Sequence, residues 1–161
     1  MNPTIAQLAV KLHDLASRGS RTIGTAESCT GGLIAGAITA VSGSSHYFYG
    51  GIVSYDNSVK ENLLCVPASV LRTVGAVSSE CAHAMAVGAA NALGVDLTVS
   101  VTGIAGPEGG SVEKPVGTVW FGLYDRGTVA TEVRQFGGDR AAVRQATVIH
   151  ALTLLCRALE R

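Results

Sequence analysis

Residues 24–36, GTAESCTGGLIAG, collect the side chains best suited to chemistry in this chain. Glu27, Ser28, Cys29, Thr30, Gly31 and Gly32 follow the β-branched pair Thr22-Ile23 and precede Leu33, Ile34, Ala37 and Ile38, which recur at helical spacing. The pattern predicts a strand, a polar corner and a helix. Hydroxyls and glycine amides at such a corner can hold an anion, and a helix start adds about half a positive charge. Ser28 and Cys29 are nucleophiles beside that site. The same residue types also serve as plain capping chemistry, and both readings stand on sequence alone. The corner is neither GxxxxGK[ST] nor GxGxxG, so neither a P-loop nor a dinucleotide fold is indicated.

A second chemical group lies at residues 55–60. Asp56-Asn57 is a stop-and-cap signal, and with Asn57 as N-cap, Lys60 falls in the first helical turn. A cation there faces the positive end of the helix dipole, and burial in a cleft would lower its pKa further. Lys60 could then accept a proton, directly or through Tyr55; the alternative is a solvated lysine paired with Glu61 or another acid. Arg140, just after the N-cap candidate Asp139, is equally unfavourable at a helix start. An anionic ligand or a salt bridge would resolve the conflict. Residues 42–51, SGSSHYFYGG, bring three consecutive aromatics into a serine- and glycine-rich loop, either as a wall for a planar ligand or as a subunit contact.

The elements that must position these groups can be traced in order. Asn2 caps a first helix with Pro3 at its first position and Ile5, Leu8, Leu12 and Leu15 on one face. Strands are expected at 21–26, 52–55, 96–102, 116–124 and 128–136, the last two forming a hairpin through Asp125-Arg126-Gly127. Helices are expected from Pro67 to Val74, from Ser78 to Gly94, and after Asp139. In DLTVSVT, residues 96–102, Leu97, Val99 and Val101 point one way and Thr98, Ser100 and Thr102 the other. GIAGPEGG, residues 103–110, cannot be regular structure, and in an open α/β sheet a loop after a strand is where ligands sit.

Composition bounds the rest. The 161 residues suit one domain, 1–161, with no internal repeat or linker. Twelve acidic and twelve basic residues cancel, which speaks against a nucleic-acid-binding field. Only 15% of residues are charged and the mean hydropathy is +0.34, which points to extra buried surface such as a subunit interface. Four cysteines without paired spacing read as free thiols, and no signal peptide or apolar run of membrane length is evident, so a cytoplasmic setting is expected.

TAESCTGG, GSSHYFYGG, the Tyr55–Lys60 segment, GAVS, TGIAGPEGG, KPVGTV and GDR follow one another in the order of the CinA C-terminal domain, which the chain resembles over nearly its whole length. The resemblance is to the stand-alone form, the nicotinamide mononucleotide deamidases. It implies an α/β fold of three α/β/α layers, with a mixed, mostly parallel sheet of about five strands and a C-terminal antiparallel hairpin. It implies hydrolysis of the nicotinamide carboxamide to nicotinic acid mononucleotide and ammonia, without metal or cofactor; the apolar composition and the aromatic loop suggest a homodimer or larger homo-oligomer. No nucleic acid or membrane partner is implied. The implied catalytic positions are Ser45, Tyr55 and Lys60, with Ser28 close by as the alternative nucleophile; Thr102 and Arg140 also match site positions. Thr30, Gly31, Gly32, Gly103 and Gly106 would bind substrate alongside Arg140. A Cys29 thiolate is the chemical rival, and a non-catalytic nucleotide-binding or regulatory module is the rival of another class. Cys65 stands where the family usually has glycine, which bears on the local turn.

Overall fold

The computed structural model describes all residues from Met1 to Arg161. Five strands form one sheet: β1 (Ile23–Glu27), β2 (Phe48–Val53), β3 (Leu97–Gly103), β4 (Thr118–Asp125) and β5 (Thr128–Gln135), in the order β2-β1-β3-β4-β5. β1 pairs in parallel with β2 and β3, while β4 is antiparallel to both β3 and β5. Four strands therefore share one direction and β4 alone opposes it. The carboxyl ends of β1, β2, β3 and β5 lie along one rim of the sheet.

Helices cover both faces. α1 (Pro3–Ser17), α2 (Leu33–Thr39) and α6 (Arg140–Leu159) pack on one; α3 (Asn57–Leu64), α4 (Ala68–Thr73) and α5 (Ser79–Leu93) lie on the other. This is the expected three-layer arrangement. On the first face Leu12, Ile34, Ile38, Val148, Leu152 and Leu155 meet Ile23, Leu97, Val99, Val101 and Phe121 in the larger core. At about 25 cal/mol per Å² of apolar surface, this layer supplies most of the drive to fold.

The second face is built differently. The alternation in β3 turns Thr98, Ser100 and Thr102 towards it, all buried. The Thr98 hydroxyl donates to Ala86 O, that of Ser100 to Ala82 O and that of Thr102 to Ala76 O, at 2.6–2.8 Å. A hydroxyl face tolerates burial only when each O–H finds an acceptor. α5 offers the carbonyls of Ala82 and Ala86, and the turn before it that of Ala76, because the small residues of α5 let it approach closely. A Cβ on Gly88 would lie 2.0 Å from Leu64 O, and one on Gly122 would lie 2.4 Å from Ala82 O.

Several boundaries differ from expectation. β2 starts at Phe48, because Ile23 N donates to Tyr47 O and draws the aromatic segment into the sheet. Tyr47 is buried, Phe48 half-buried and Tyr49 exposed, so the three rings do not form one wall. The cap of α3 is Asp56, whose carboxylate accepts from Ser58 N at 2.8 Å; Asn57 is the first helical residue. At the other end of α3, Cys65 adopts φ 55°, and the amides of Cys65 and Val66 both return to Lys60 O. A residue with a Cβ is strained in this left-handed cap.

Cys65→Gly is expected to stabilise the chain by about 1 kcal/mol, raising Tm by about 2–4 °C for a domain of this size. Gly88→Ala is expected to cost about 2–3 kcal/mol, because its methyl group meets backbone. Thermal and urea unfolding of the two variants measure both effects, and no gain from Cys65→Gly would mean the turn carries no strain.

Candidate active site

Lys60 is among the largest side chains sealed from solvent, at 1% exposure. Its Nζ donates to Ser54 O at 2.7 Å, Tyr55 O at 3.1 Å and Ser28 Oγ at 3.1 Å. No carboxylate pairs with it. Burial of the ammonium is the leading cause that holds its pKa below the usual 10.5, only partly opposed by Cys81, Asp56 and Cys29. In the neutral amine, two N–H bonds satisfy the two carbonyls and the lone pair points at the Ser28 hydroxyl. That is the geometry of a serine with its general base.

Ser28 is half-buried at the carboxyl end of β1, where Ser28 N donates to Val101 O and Ser54 N to Glu27 O. Two further groups hold the bend. The Glu27 carboxylate, 1% exposed, accepts from Thr30 Oγ1 at 2.6 Å, Ala35 N at 2.8 Å, Gly32 N at 3.0 Å and Ile34 N at 3.1 Å. The Arg144 guanidinium donates to Cys29 O and Thr30 O, each at 3.1 Å.

These contacts correct the anion-site reading of the corner. The start of α2 is already occupied by the chain's own Glu27. Thr30 Oγ1 and Gly32 N serve that carboxylate, and Gly31 N donates to Ser28 O, so Thr30, Gly31 and Gly32 have no such donor left for a phosphate. Thr102 is likewise engaged, with Ala76 O on the α5 face. Gly103 lies against β4, where a Cβ would be 2.7 Å from Val119 Cγ2.

Ser45 is not brought to Lys60. It sits in a short turn, Ser44–His46, before the first residue of β2. Ser54 follows the last residue of that strand, and six strand residues span about 20 Å. Within one chain, Ser45 and Lys60 therefore occupy opposite rims. Tyr55 is at the correct rim, but its backbone carbonyl, not its phenol, meets Lys60. The phenol is 61% exposed and accepts from Arg140 Nη2 at 3.0 Å, while Arg140 Nη1 donates to Gly106 O at 3.0 Å. Arg140 thus ties the loop after β2 to the loop after β3 and uses only uncharged partners. Cys29 is buried, and that burial pushes its thiol up to about 11, which leaves too little thiolate for a cysteine mechanism at neutral pH.

Beside the Ser28 bend, a cleft of about 640 Å³ opens between the 105–116 loop and the start of α6, with Arg140 and Arg144 in its wall. Arg144 was not anticipated. Its signal was present: it lies one helical turn beyond Arg140, on the same face.

The model of the CinA C-terminal domain matches residues 5–159. The chain belongs to the CinA C-terminal domain family. Among solved structures, the competence/damage-inducible protein CihA from Agrobacterium tumefaciens superposes with a TM-score of 0.94 at 43% identity, over 100% of this chain and 98% of that one. A CinA superfamily protein from Klebsiella pneumoniae matches with a TM-score of 0.93 at 34% identity, over 97% and 98%. A Pseudomonas putida protein named nicotinamide-nucleotide amidohydrolase PncC is 51% identical over 94% of both chains. An Enterobacter agglomerans protein of the same name is 57% identical over 81% of this chain and 80% of its own. A CinA-like protein of Citrifermentans bemidjiense is 56% identical over 92% of this chain; the chain spans 36% of that protein's length.

Burial of Lys60 has a signature in stability. Its folded pKa is depressed below 10.5, so between the two values the unfolded chain binds the extra proton, and stability rises with pH through that window. Lys60→Met removes the group. The variant's stability relative to wild type is expected to be most favourable below the folded pKa and to decline as pH approaches 10.5. Urea titrations at pH 6, 8 and 10 test this, and a constant difference would mean the amine is not desolvated.

Proposed function

We propose that this chain is a nicotinamide-nucleotide amidohydrolase, hydrolysing the carboxamide of nicotinamide mononucleotide to nicotinic acid mononucleotide and ammonia, with Ser28 as nucleophile and Lys60 as its base. One observation carries the reading: a buried amine without a counter-ion, 3.1 Å from a half-buried serine hydroxyl. The names of the Pseudomonas putida and Enterobacter agglomerans relatives support the choice of substrate.

The steps follow from the geometry. Neutral Lys60 takes the Ser28 proton as the hydroxyl oxygen attacks the carboxamide carbon. The tetrahedral oxyanion collapses, the C–N bond breaks, and the Lys60 ammonium returns the proton to the leaving nitrogen, which departs as ammonia. Water then attacks the acyl-serine ester, Lys60 again accepting a proton, and release of the acid regenerates Ser28. Ser54 O and Tyr55 O accept from the transient ammonium and offset part of the cost of charging the base inside the site. This route calls for no metal or cofactor. Arg140 and Arg144 would face the substrate phosphate from the 640 Å³ cleft, and Tyr55, with its phenol fixed by Arg140, would border the ring.

The proposal includes a cytoplasmic setting, supported by four cysteines that are all free, and a homodimer or larger homo-oligomer, supported by exposed Leu33, Tyr49 and Val53. No helix is long and apolar enough to cross a membrane. A second reading, a non-catalytic nucleotide-binding or regulatory module, draws on one feature: as an ammonium, Lys60 has three acceptors for three N–H bonds and could be a strut.

Ammonia release from nicotinamide mononucleotide separates the two. Ser28→Ala and Lys60→Ala are each expected to lower kcat by about 10³-fold or more with KM little changed, whereas Ser45→Ala should retain most of the rate. Loss of activity in Ser45→Ala with Ser28→Ala active would overturn the assignment of the nucleophile. Binding without ammonia release by wild-type protein would favour the module. The rate of the wild type should rise with pH through the depressed Lys60 pKa, below the 10.5 of a free lysine, and a flat profile would remove Lys60 as base.

A further inference from the structure

Glu27 is a fully buried acid that takes no part in the proton transfers above and has no cation as partner. Its position is unusual, because a charged side chain is costly to bury unless its oxygens are fully bonded. Here they are. One oxygen accepts from Thr30 Oγ1, Gly32 N and Ile34 N, and the other from Ala35 N, with Thr25 Oγ1 at 3.4 Å. Every contact is a donor aimed at an oxygen, the arrangement that suits a carboxylate. Apart from Thr25 in β1, the donors all belong to the segment that carries Ser28 into α2. The residue before the nucleophile thus binds the helix that follows it and closes the intervening bend from within.

The bend has little else to fix it. Gly31 and Gly32 sit at φ 58° and 99°, and glycine is the most permissive residue in the chain. α2 has seven residues, too short to be stable alone, and Gly32 gives it no side-chain cap. Without Glu27, the amides of Gly32, Ile34 and Ala35 lose their partner together. The Ser28 hydroxyl would then be free to leave the lone-pair direction of Lys60, and a displacement of about 1 Å at a reacting group costs on the order of 10²-fold in rate.

We propose that Glu27 is the positioning residue of this active site: its carboxylate locks the Ser28–Thr30 bend so that the Ser28 hydroxyl stays aligned with Lys60. The inference rests on the Ser28–Lys60 reading of the site and adds a residue to it.

The test compares Glu27→Gln, Thr30→Val and Thr30→Ser in the full chain, well below each variant's Tm. Glu27→Gln keeps the volume but replaces one acceptor oxygen by a donor. It is expected to lower kcat about 100-fold with KM within about 2-fold of wild type. It should slow phosphonylation of Ser28 by a fluorophosphonate, read by mass spectrometry, by a similar factor. Thr30→Val removes one donor and should cost about 10-fold in both assays; Thr30→Ser should recover most of it. A folded Glu27→Gln with wild-type kcat and wild-type labelling would overturn the positioning role while leaving the dyad intact. If Ser28→Ala remains active, the dyad reading itself fails. Should Glu27→Gln not fold, the Thr30 pair decides: equal rates in Thr30→Val and Thr30→Ser would overturn the proposal.

Discussion

The site depends on an amine kept out of water without an opposing charge. Lys60 is surrounded by two carbonyls and a hydroxyl, groups that can host either protonation state but do not demand the charged one. A carboxylate in the same place would hold the ammonium and disable the base. Burial therefore does the tuning, and the rest of the rim must exclude both water and acids from one small volume. The Ser54 and Tyr55 carbonyls bound the amine on one side, and the Ser28 hydroxyl bounds it on the other.

That arrangement explains why two structural devices meet at the corner. Inside the bend, Glu27 gathers the amides; outside it, Arg144 takes the carbonyls of Cys29 and Thr30. Two opposite charges hold the two polarities of the same backbone without touching each other. A corner rich in glycine would otherwise be the softest part of the rim. Its rigidity is imported from a strand residue and from a helix more than a hundred positions away.

Much of this was legible in the chain, and what was not has a physical cause. The alternation of residues 96–102 correctly assigned Leu97, Val99 and Val101 to one core and the hydroxyl residues to the other face, since a strand's period is fixed by the pleat. The caps at Asn2, Ser78 and Asp139 were equally local. The choice between Ser28 and Ser45 was not local. Both lie near a strand, and chain spacing does not say at which end of the sheet each falls; that depends on β1 and β2 being parallel neighbours. Glu27 was counted with the polar corner and given no role of its own, because nothing in the spacing says that its carboxylate turns inward. Only the fold shows that the helix start folds back over it.

The antiparallel hairpin completes the rim by parity. β3 ends at the carboxyl rim, β4 leads away from it, and β5 returns, so α6 begins where β1, β2 and β3 end. Without the hairpin, a helix entered directly from β3 would leave no room for the 104–117 loop that faces Arg140. The return places Arg140 in the first turn of α6, an unfavourable place for a cation by about 0.3–1 kcal/mol. Its partners, Gly106 O and the Tyr55 phenol, relieve the hydrogen-bonding demand but not the charge. Arg144, one turn on, has carbonyl partners only. Arg140, Arg144 and the capping Asp139 therefore share the wall of one cleft, two guanidinium groups to one carboxylate. The surplus positive charge at this helix start is what an anionic group carried by a substrate would answer, in keeping with the amide chemistry proposed for Ser28.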